Sequence, residues 1–128
     1  MILVDTSIWI DHLKSGSPPL AGLLERRGAL AHPWVTGELA LGHLRRRQEV
    51  IGLIDRLPQA TLATASEVMT LIERHELYGT GIGYVDAQLL AATKLTDAAT
   101  LWTRDRHLRA ATTRLGCAFE PGPSNDPA

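Results

Sequence analysis

The chain has 128 residues, a length typical of one domain with an ordinary hydrophobic core. Its 13 Lys and Arg against 14 Asp and Glu exclude a strong overall attraction to nucleic acid or to an anionic membrane, but not a local basic patch. The single cysteine, Cys117, excludes an internal disulfide framework. No apolar run reaches the roughly 18 residues of a membrane span, and we expect a cytoplasmic protein.

The first predicted element is a short strand. Ile2, Leu3 and Val4 form an apolar run of branched side chains, which is typical of a strand buried on both faces of a parallel sheet. Asp5 follows where this strand would leave the sheet. We expect Thr6 or Ser7 to cap the next helix, and the strand to lie at the centre of the sheet.

A second helix and a second strand follow. Pro18 opens a helical pattern that Gly28 stops, and residues 29–31 form a short strand. Thr36 is then expected to cap a helix that carries Glu38. Strand and helix therefore alternate.

The helix that carries Glu38 is expected to end at the basic run of Arg45, Arg46 and Arg47. A further helix follows and ends at Pro58, since the residue before a proline is disfavoured in a helix. Residues 61–63 are expected to form a brief strand.

The second half of the chain continues the alternation. Thr64 and Glu67 have the spacing of a capping box and open a helix. The glycine-rich turn 79–83 leads into a helix over about Tyr84–Leu95, and residues 99–102 form another buried strand.

The last helix is expected to start at Thr103 or Asp105, and a final strand to cover residues 117–119. Residues 1–120 then form the domain and residues 121–128 a loose tail. The alternation predicts a three-layer α/β/α domain with a central, mostly parallel sheet of four to five strands.

Four acids fall at strand ends or helix starts, which meet along one edge of such a sheet. They are Asp5, Glu38, Asp86 and Asp105. Helical spacing predicts that Asp86 and Asp105 face the apolar side of their helices. Capping explains any one acid, with about 0.3–1 kcal/mol each. Two carboxylates about 4 Å apart repel by on the order of 4 kcal/mol at an effective dielectric near 20, so four together predict a bound cation. Oxygen ligands suit magnesium or manganese.

The acids stand in the segments VDTS, TGELA, GIGYVDA and WTRD. These segments resemble the acidic signature of PIN-domain ribonucleases, and their length and order resemble VapC, the toxin of bacterial VapBC toxin–antitoxin modules. The resemblance covers residues 1–120. It implies a PIN-like fold and a Mg²⁺- or Mn²⁺-dependent endoribonuclease that acts on structured RNA such as tRNA or rRNA. It also implies a homodimer held inactive by a VapB-type antitoxin.

Each acid has an expected role in such a nuclease. Asp5 and Asp86 are the first choices as metal ligands, and Asp105 would bind the metal directly or through water. Glu38 would hold a second ion or orient the attacking water. Neighbouring hydroxyl groups are expected to orient the carboxylates. These belong to Thr6, Ser7 and Thr103.

Positive charge near the acids is expected to bind RNA phosphates. The candidates are Arg104, Arg106, Arg109, Arg45, Arg46 and Arg47. For the last three, stabilisation of a helix C-terminus is an equally good explanation. Trp9 and Trp34 stand in apolar stretches and are predicted to be core or dimer surface in preference to base-stacking residues.

Two other functions stay open at this point. One is a PIN-like module that binds RNA or protein without cutting, although all four acids are present. The other is an aspartate-based phosphotransfer domain, which also gathers acids around magnesium. Ser7 stands where such phosphatases place a second aspartate, and no lysine follows a late strand as in receiver domains.

Overall fold

Three short apolar runs form the sheet in the computed structural model, which describes residues 1–122. They are β1 (Ile2–Val4), β2 (Ala29–Leu30) and β3 (Thr100–Trp102). All pair in parallel in the order β2-β1-β3, so the first strand is central, as predicted. Leu3 and Val4 are fully buried because both faces of β1 are covered.

The sheet has fewer strands than the four to five expected. On one edge, Ala31 forms a single bridge with Gln59, and the chain then turns away because the Thr61 backbone donates to the Thr96 hydroxyl. On the other edge, Leu101 bridges only Ala118. The strands predicted at 61–63 and 117–119 are therefore wrong within the described residues. At the first edge the pairing occurs at Gln59, two residues before the predicted strand. At the second edge it occurs through Ala118 alone.

Seven helices lie in residues 1–122 and flank the sheet in a three-layer α/β/α arrangement. They are α1 (Thr6–Ser15), α2 (Pro18–Glu25), α3 (Pro33–Ala40), α4 (Arg47–Asp55), α5 (Ala65–Arg74), α6 (Tyr84–Leu95) and α7 (Arg106–Arg114). The most buried helix is α6, which packs on β3 and holds Leu89, Leu90 and Ala92 out of solvent. In turn, α5 packs on α6, and α3 packs on α1 and α4. None of these helices is long and apolar enough to cross a membrane.

Helix caps decide where several of these helices begin. The predicted capping box of Thr64 and Glu67 is present, with both hydrogen bonds formed. Asp105 caps α7, one of the two starts predicted. The cap of α1, however, is Asp5 and neither Thr6 nor Ser7. An aspartate directly after the strand accepts a backbone N–H as well as a hydroxyl would, so the helix begins one residue earlier.

The start of α3 is also earlier than expected. His32 is the cap, and its Nδ1 accepts a hydrogen bond from the Trp34 backbone at 3.1 Å. Pro33 begins the helix because its fixed φ suits the first helical position. Thr36 lies one turn inside and donates to the His32 carbonyl. Burial lowers the pKa of His32, so the ring that accepts at Nδ1 is neutral.

The end of α3 differs as well, since the helix ends at Ala40 and not at the basic run. Arg46 has a left-handed backbone with φ 52°, which a continuous α-helix excludes. Arg47 instead begins α4, and its Nε donates to the Ala40 carbonyl at 2.8 Å. The predicted tail over 121–128 lies outside the described residues from 123 onward.

Candidate active site

Asp5 is the buried centre of the acidic site, with only 7% of its surface exposed. Its backbone N–H donates to the Trp102 carbonyl, so the pairing of β1 with β3 fixes where the carboxylate begins. Oδ1 accepts from the Thr6 backbone at 2.7 Å. Oδ2 accepts from the hydroxyls of Ser7 at 3.0 Å and Thr103 at 2.7 Å. Three donors therefore hold this carboxylate in one orientation.

The segment after β3 is tied to Asp5 through the same hydroxyl groups. Thr103 Oγ1 accepts from the Asp105 backbone at 3.0 Å while it donates to Asp5. Ser7 Oγ accepts from the Arg104 backbone at 3.2 Å while it donates to the same carboxylate. The two acids at the ends of β1 and β3 are thereby linked over almost the whole length of the chain.

Glu38 reaches the site from α3 and is exposed. Its Oε1 accepts from the Thr6 hydroxyl at 2.8 Å. Thr6 therefore connects two acids, because its backbone N–H meets Asp5 and its side chain meets Glu38. The Thr6 hydroxyl, which was expected to orient Asp5, donates to Glu38 instead.

The pKa of Asp86 indicates that the four acids lie near one another. It lies half-buried in the first turn of α6, and its pKa is raised to about 6. Burial is the largest cause, followed by the negative charges of Asp5 and Asp105, with a smaller contribution from Glu38. A hydrogen bond from the Gly83 backbone lowers the pKa but does not offset these effects. The fold therefore crowds the carboxylates that the sequence left far apart.

Asp105 occupies the exposed side of the site. Its Oδ1 caps α7 by accepting from the Leu108 backbone at 2.9 Å. The expectation that Asp105 faces the apolar side of its helix is wrong, because a cap residue precedes the helix and belongs to none of its faces. Asp86, which lies inside its helix, is partly buried as expected.

Within residues 1–122, no ion pair includes any of these four carboxylates. The ion pairs there join Arg46 to Glu49, Arg104 to Asp11 and Arg109 to Glu120. In that range no three His, Cys, Asp or Glu side chains are gathered tightly enough to coordinate one ion by themselves. An uncompensated, open set of oxygen donors fits Mg²⁺ or Mn²⁺, because such ions keep several waters when they bind to proteins. Asp5 and Asp86 are the acids with restricted positions that would hold the ion.

The predicted RNA-binding arginines lie in three places. Arg104 and Arg109 line one groove, where exposed carboxylates pair with them. Arg106 lines a second groove beside His107 and Arg114. The remaining three, Arg45, Arg46 and Arg47, are exposed around the start of α4. The alternative explanation, stabilisation of a helix C-terminus, holds for Arg47, whose Nε donates to the Ala40 carbonyl at the end of α3.

The sequence analysis assigned no role beside Glu38 to Lys14, His43 or Tyr84. Lys14 and His43 line the same groove as Glu38, between the end of α1 and the residues after α3. Trp34, one turn before Glu38, packs its ring against that of Tyr84 at the start of α6. The i,i+4 spacing of Trp34 and Glu38 is readable from the sequence, whereas the other neighbours come from separate elements.

Comparison with known proteins adds an independent observation. The family model described as PIN domain matches residues 2–113. The chain is 46% identical over 119 residues to "Ribonuclease VapC32" of Mycobacterium tuberculosis, strains CDC 1551 / Oshkosh and ATCC 25618 / H37Rv. The matched region covers 93% of this chain and 96% of each relative.

Proposed function

Because this chain belongs to the PIN-domain family and is a ribonuclease toxin of the VapC type, we propose that it is a Mg²⁺- or Mn²⁺-dependent endoribonuclease. Its substrate is structured RNA such as tRNA or rRNA, and a VapB-type antitoxin neutralises it. The observation that carries this proposal is the crowding of four carboxylates around Asp86, none of which takes part in an ion pair within residues 1–122.

Each residue of the site has its own role in the proposed phosphodiester hydrolysis. A divalent ion at this site would supply a water of lowered pKa and positive charge to offset the phosphoryl oxygens. Asp5 and Asp86 would hold it, and Asp105 would contact it directly or through water. Asp5 enters the reaction already oriented, since Thr6, Ser7 and Thr103 restrain it in the free protein.

Glu38 is the acid best placed to act on the nucleophile. It is exposed, so it reaches solvent water, and the Thr6 hydroxyl restrains its Oε1. It therefore orients the attacking water or holds a second ion. Because water is the nucleophile, the RNA 2′-hydroxyl takes no part in bond cleavage, and preference for RNA comes from binding.

RNA phosphates are bound by the arginines around the site. The pairs of Arg104 with Asp11 and Arg109 with Glu120 are exposed, so each is worth about 0–1 kcal/mol and phosphate competes with it. Arg106 and the run of Arg45, Arg46 and Arg47 supply further positive charge. We further propose that the protein is a homodimer, which light scattering measures directly.

The decisive experiment is cleavage of total RNA by the purified protein with Mg²⁺, Mn²⁺ or a chelator. We expect discrete fragments that disappear with chelator and with Asp5→Asn. Asparagine can keep the cap of α1 through its amide oxygen. Its amide nitrogen cannot accept from Ser7 and Thr103 as Asp5 Oδ2 does, so circular dichroism and urea unfolding must show that the variant is folded. Asp97→Asn is the matched control, because Asp97 is an exposed acid outside the site.

Intact RNA in the presence of folded, metal-supplied wild-type protein would overturn the nuclease proposal and favour a PIN-like module that binds without cutting. The family match leaves the aspartate-based phosphotransfer alternative without support. Stable labelling of Asp5 by a small phosphodonor would revive it.

A further inference from the structure

Trp34 and Tyr84 place two exposed aromatic rings next to the acids. Their side chains are 40% and 45% exposed, and the ring centroids are 6.0 Å apart with planes inclined at 52°. Trp34 lies one helical turn before Glu38 on the same side of α3. Tyr84 begins α6 two residues before Asp86. The ring contact brings the start of α6 next to α3, and Glu38 contributes to the raised pKa of Asp86.

Buried polar groups hold the ring-bearing segments in place. Gln88, which is 6% exposed, donates through Nε2 to the Tyr84 hydroxyl at 3.2 Å. The Trp34 backbone donates to the fully buried ring of His32. The aromatic pair is therefore restrained although it faces solvent, and a ligand that covers it pays little further entropy for ordering.

Open space adjoins the pair on both helices. A Cβ built on Gly37, the residue before Glu38, would meet nothing within 4 Å. The same is true of Gly83, the residue before Tyr84. The glycines therefore leave room beside the carboxylates and the rings for another molecule.

We propose that Trp34 and Tyr84 form a stacking surface for an unpaired base of the RNA, next to the phosphodiester held at the acids. This inference rests on the proposed nuclease function. The inclined rings do not cover each other face to face, so a π-face stays available to a base. Stacking accepts any base but requires that the base is unpaired. The enzyme is then specific for loops and single-stranded segments of structured RNA.

A base of the RNA suits this surface because the rings adjoin the acids of the proposed site. RNA whose phosphodiester lies at the acids brings a neighbouring base to the rings without a second partner. Trp34 is 40% exposed, so the predicted core position is wrong, whereas the predicted dimer surface stays the competing prediction for this side chain.

The test uses the Asp5→Asn protein, so that no RNA is cut, and a short single-stranded RNA with 2-aminopurine at successive positions. We expect quenching of 2-aminopurine fluorescence at one position. Trp34→Leu and Tyr84→Leu should weaken binding by about five- to a hundredfold, whereas Trp34→Phe keeps most of the affinity. Leu41→Ala is the control, because Leu41 is 90% exposed at the end of the same helix.

The RNA provides the matching controls. An abasic site at the quenched position should weaken binding and remove the effect of Trp34→Leu. With a duplex of the same sequence, addition of the protein should cause no further quenching. Unchanged affinity and quenching in both leucine variants, or no quenching at any position, would overturn the proposal. A change of oligomeric state in Trp34→Leu with RNA binding intact would assign the pair to a protein contact. If Trp34→Leu fails to fold by circular dichroism, Tyr84→Leu and the abasic RNA decide.

The two proposals fail in different ways. If wild type, Trp34→Leu and Tyr84→Leu cut the RNA equally well, the nuclease function is retained and the stacking surface is lost. Ring-dependent quenching without metal-dependent cleavage by wild-type protein retains the stacking surface and loses the nuclease.

Discussion

At the scale of single residues, the site is built from carboxylates that differ sharply in their surroundings. Asp5 is buried and accepts three hydrogen bonds, whereas Asp105 and Glu38 are exposed. Asp86 is the acid that bears the electrostatic cost of the cluster, because its pKa is raised to about 6 by burial and by its neighbours. These differences give each acid its own experimental signature.

The raised pKa of Asp86 predicts a pH-dependent stability without metal. The folded state favours the protonated acid, so its contribution to stability is fully present below the ordinary pKa of 3.8 and is lost as the pH rises through about 6. Asp86→Asn should therefore be more stable than wild type above pH 6, by on the order of 1 kcal/mol after allowance for solvent screening. Urea unfolding between pH 4 and 8 measures this.

Asp97→Asn is the control for that measurement and should track the wild type across the same range. Parallel stability curves for Asp86→Asn and wild type would show that ionisation of Asp86 does not lower the free energy of unfolding. The acids would then repel each other less than the site geometry indicates.

Thr103 is expected to position Asp5 and to take no part in the chemistry itself. Thr103→Val removes the donor to Asp5 Oδ2 and the acceptor for the Asp105 backbone. We expect metal affinity and cleavage to fall by about 10- to 100-fold, with recovery in Thr103→Ser. Titration with Mn²⁺, followed by thermal unfolding, reports affinity without relying on activity. Thr113→Val, an exposed change on α7, should leave both quantities unaltered.

At the scale of secondary structure, two acids of the proposed active site are also helix caps. Asp5 caps α1 and Asp105 caps α7, so each helix begins where an acid of the site stands. His32 performs the same task for α3, which carries Glu38 and Trp34. The elements therefore cannot be displaced without moving the carboxylates.

Asp105 is both a helix cap and an acid of the proposed site, so two substitutions there should differ in their effect on stability. Asparagine caps a helix about as well as aspartate, so Asp105→Asn should keep the stability of the fold and weaken metal binding. Asp105→Ala should lose about 1 kcal/mol of unfolding free energy in addition, because the Leu108 backbone loses its acceptor. Chemical denaturation of both variants separates the roles. Equal stability in the two variants would mean that the cap contributes nothing measurable.

At the scale of the whole molecule, a bound divalent ion should act as part of the fold. The carboxylates that repel each other come from α3, from α6 and from the segments after β1 and β3, so an ion among them would join distant parts of the chain. At a Mn²⁺ concentration 100 times the dissociation constant, we expect the unfolding free energy to rise by about 2.7 kcal/mol. The stabilisation should shrink below pH 6, where Asp86 is protonated.

Differential scanning calorimetry with Mn²⁺, Mg²⁺ and chelator measures this stabilisation, and Asp5→Asn should reduce it strongly. A melting temperature that is indifferent to both ions at pH 7.5 would remove the metal from the proposed mechanism.

Much of this molecule follows from local features of the sequence. The apolar run Ile2–Val4 specified a central strand, and the capping box of Thr64 and Glu67 specified the start of α5. The four acids were found because strand ends and helix starts are marked by local patterns, and their alternation predicts one sheet edge. Local chemistry decides such features, so they are readable without coordinates.

Other features depend on contacts between distant residues and were decided by the tertiary structure alone. The edge strands shrank to single bridges because pairing depends on how neighbouring segments leave the sheet. His32 replaced Thr36 as the cap of α3, and Thr6 turned its hydroxyl to Glu38, because both depend on what lies nearby in space. The sequence by itself determined the acids and the alternation of elements, whereas packing decided the crowding around Asp86 and the pairing of Trp34 with Tyr84, since both join helices that are far apart along the chain.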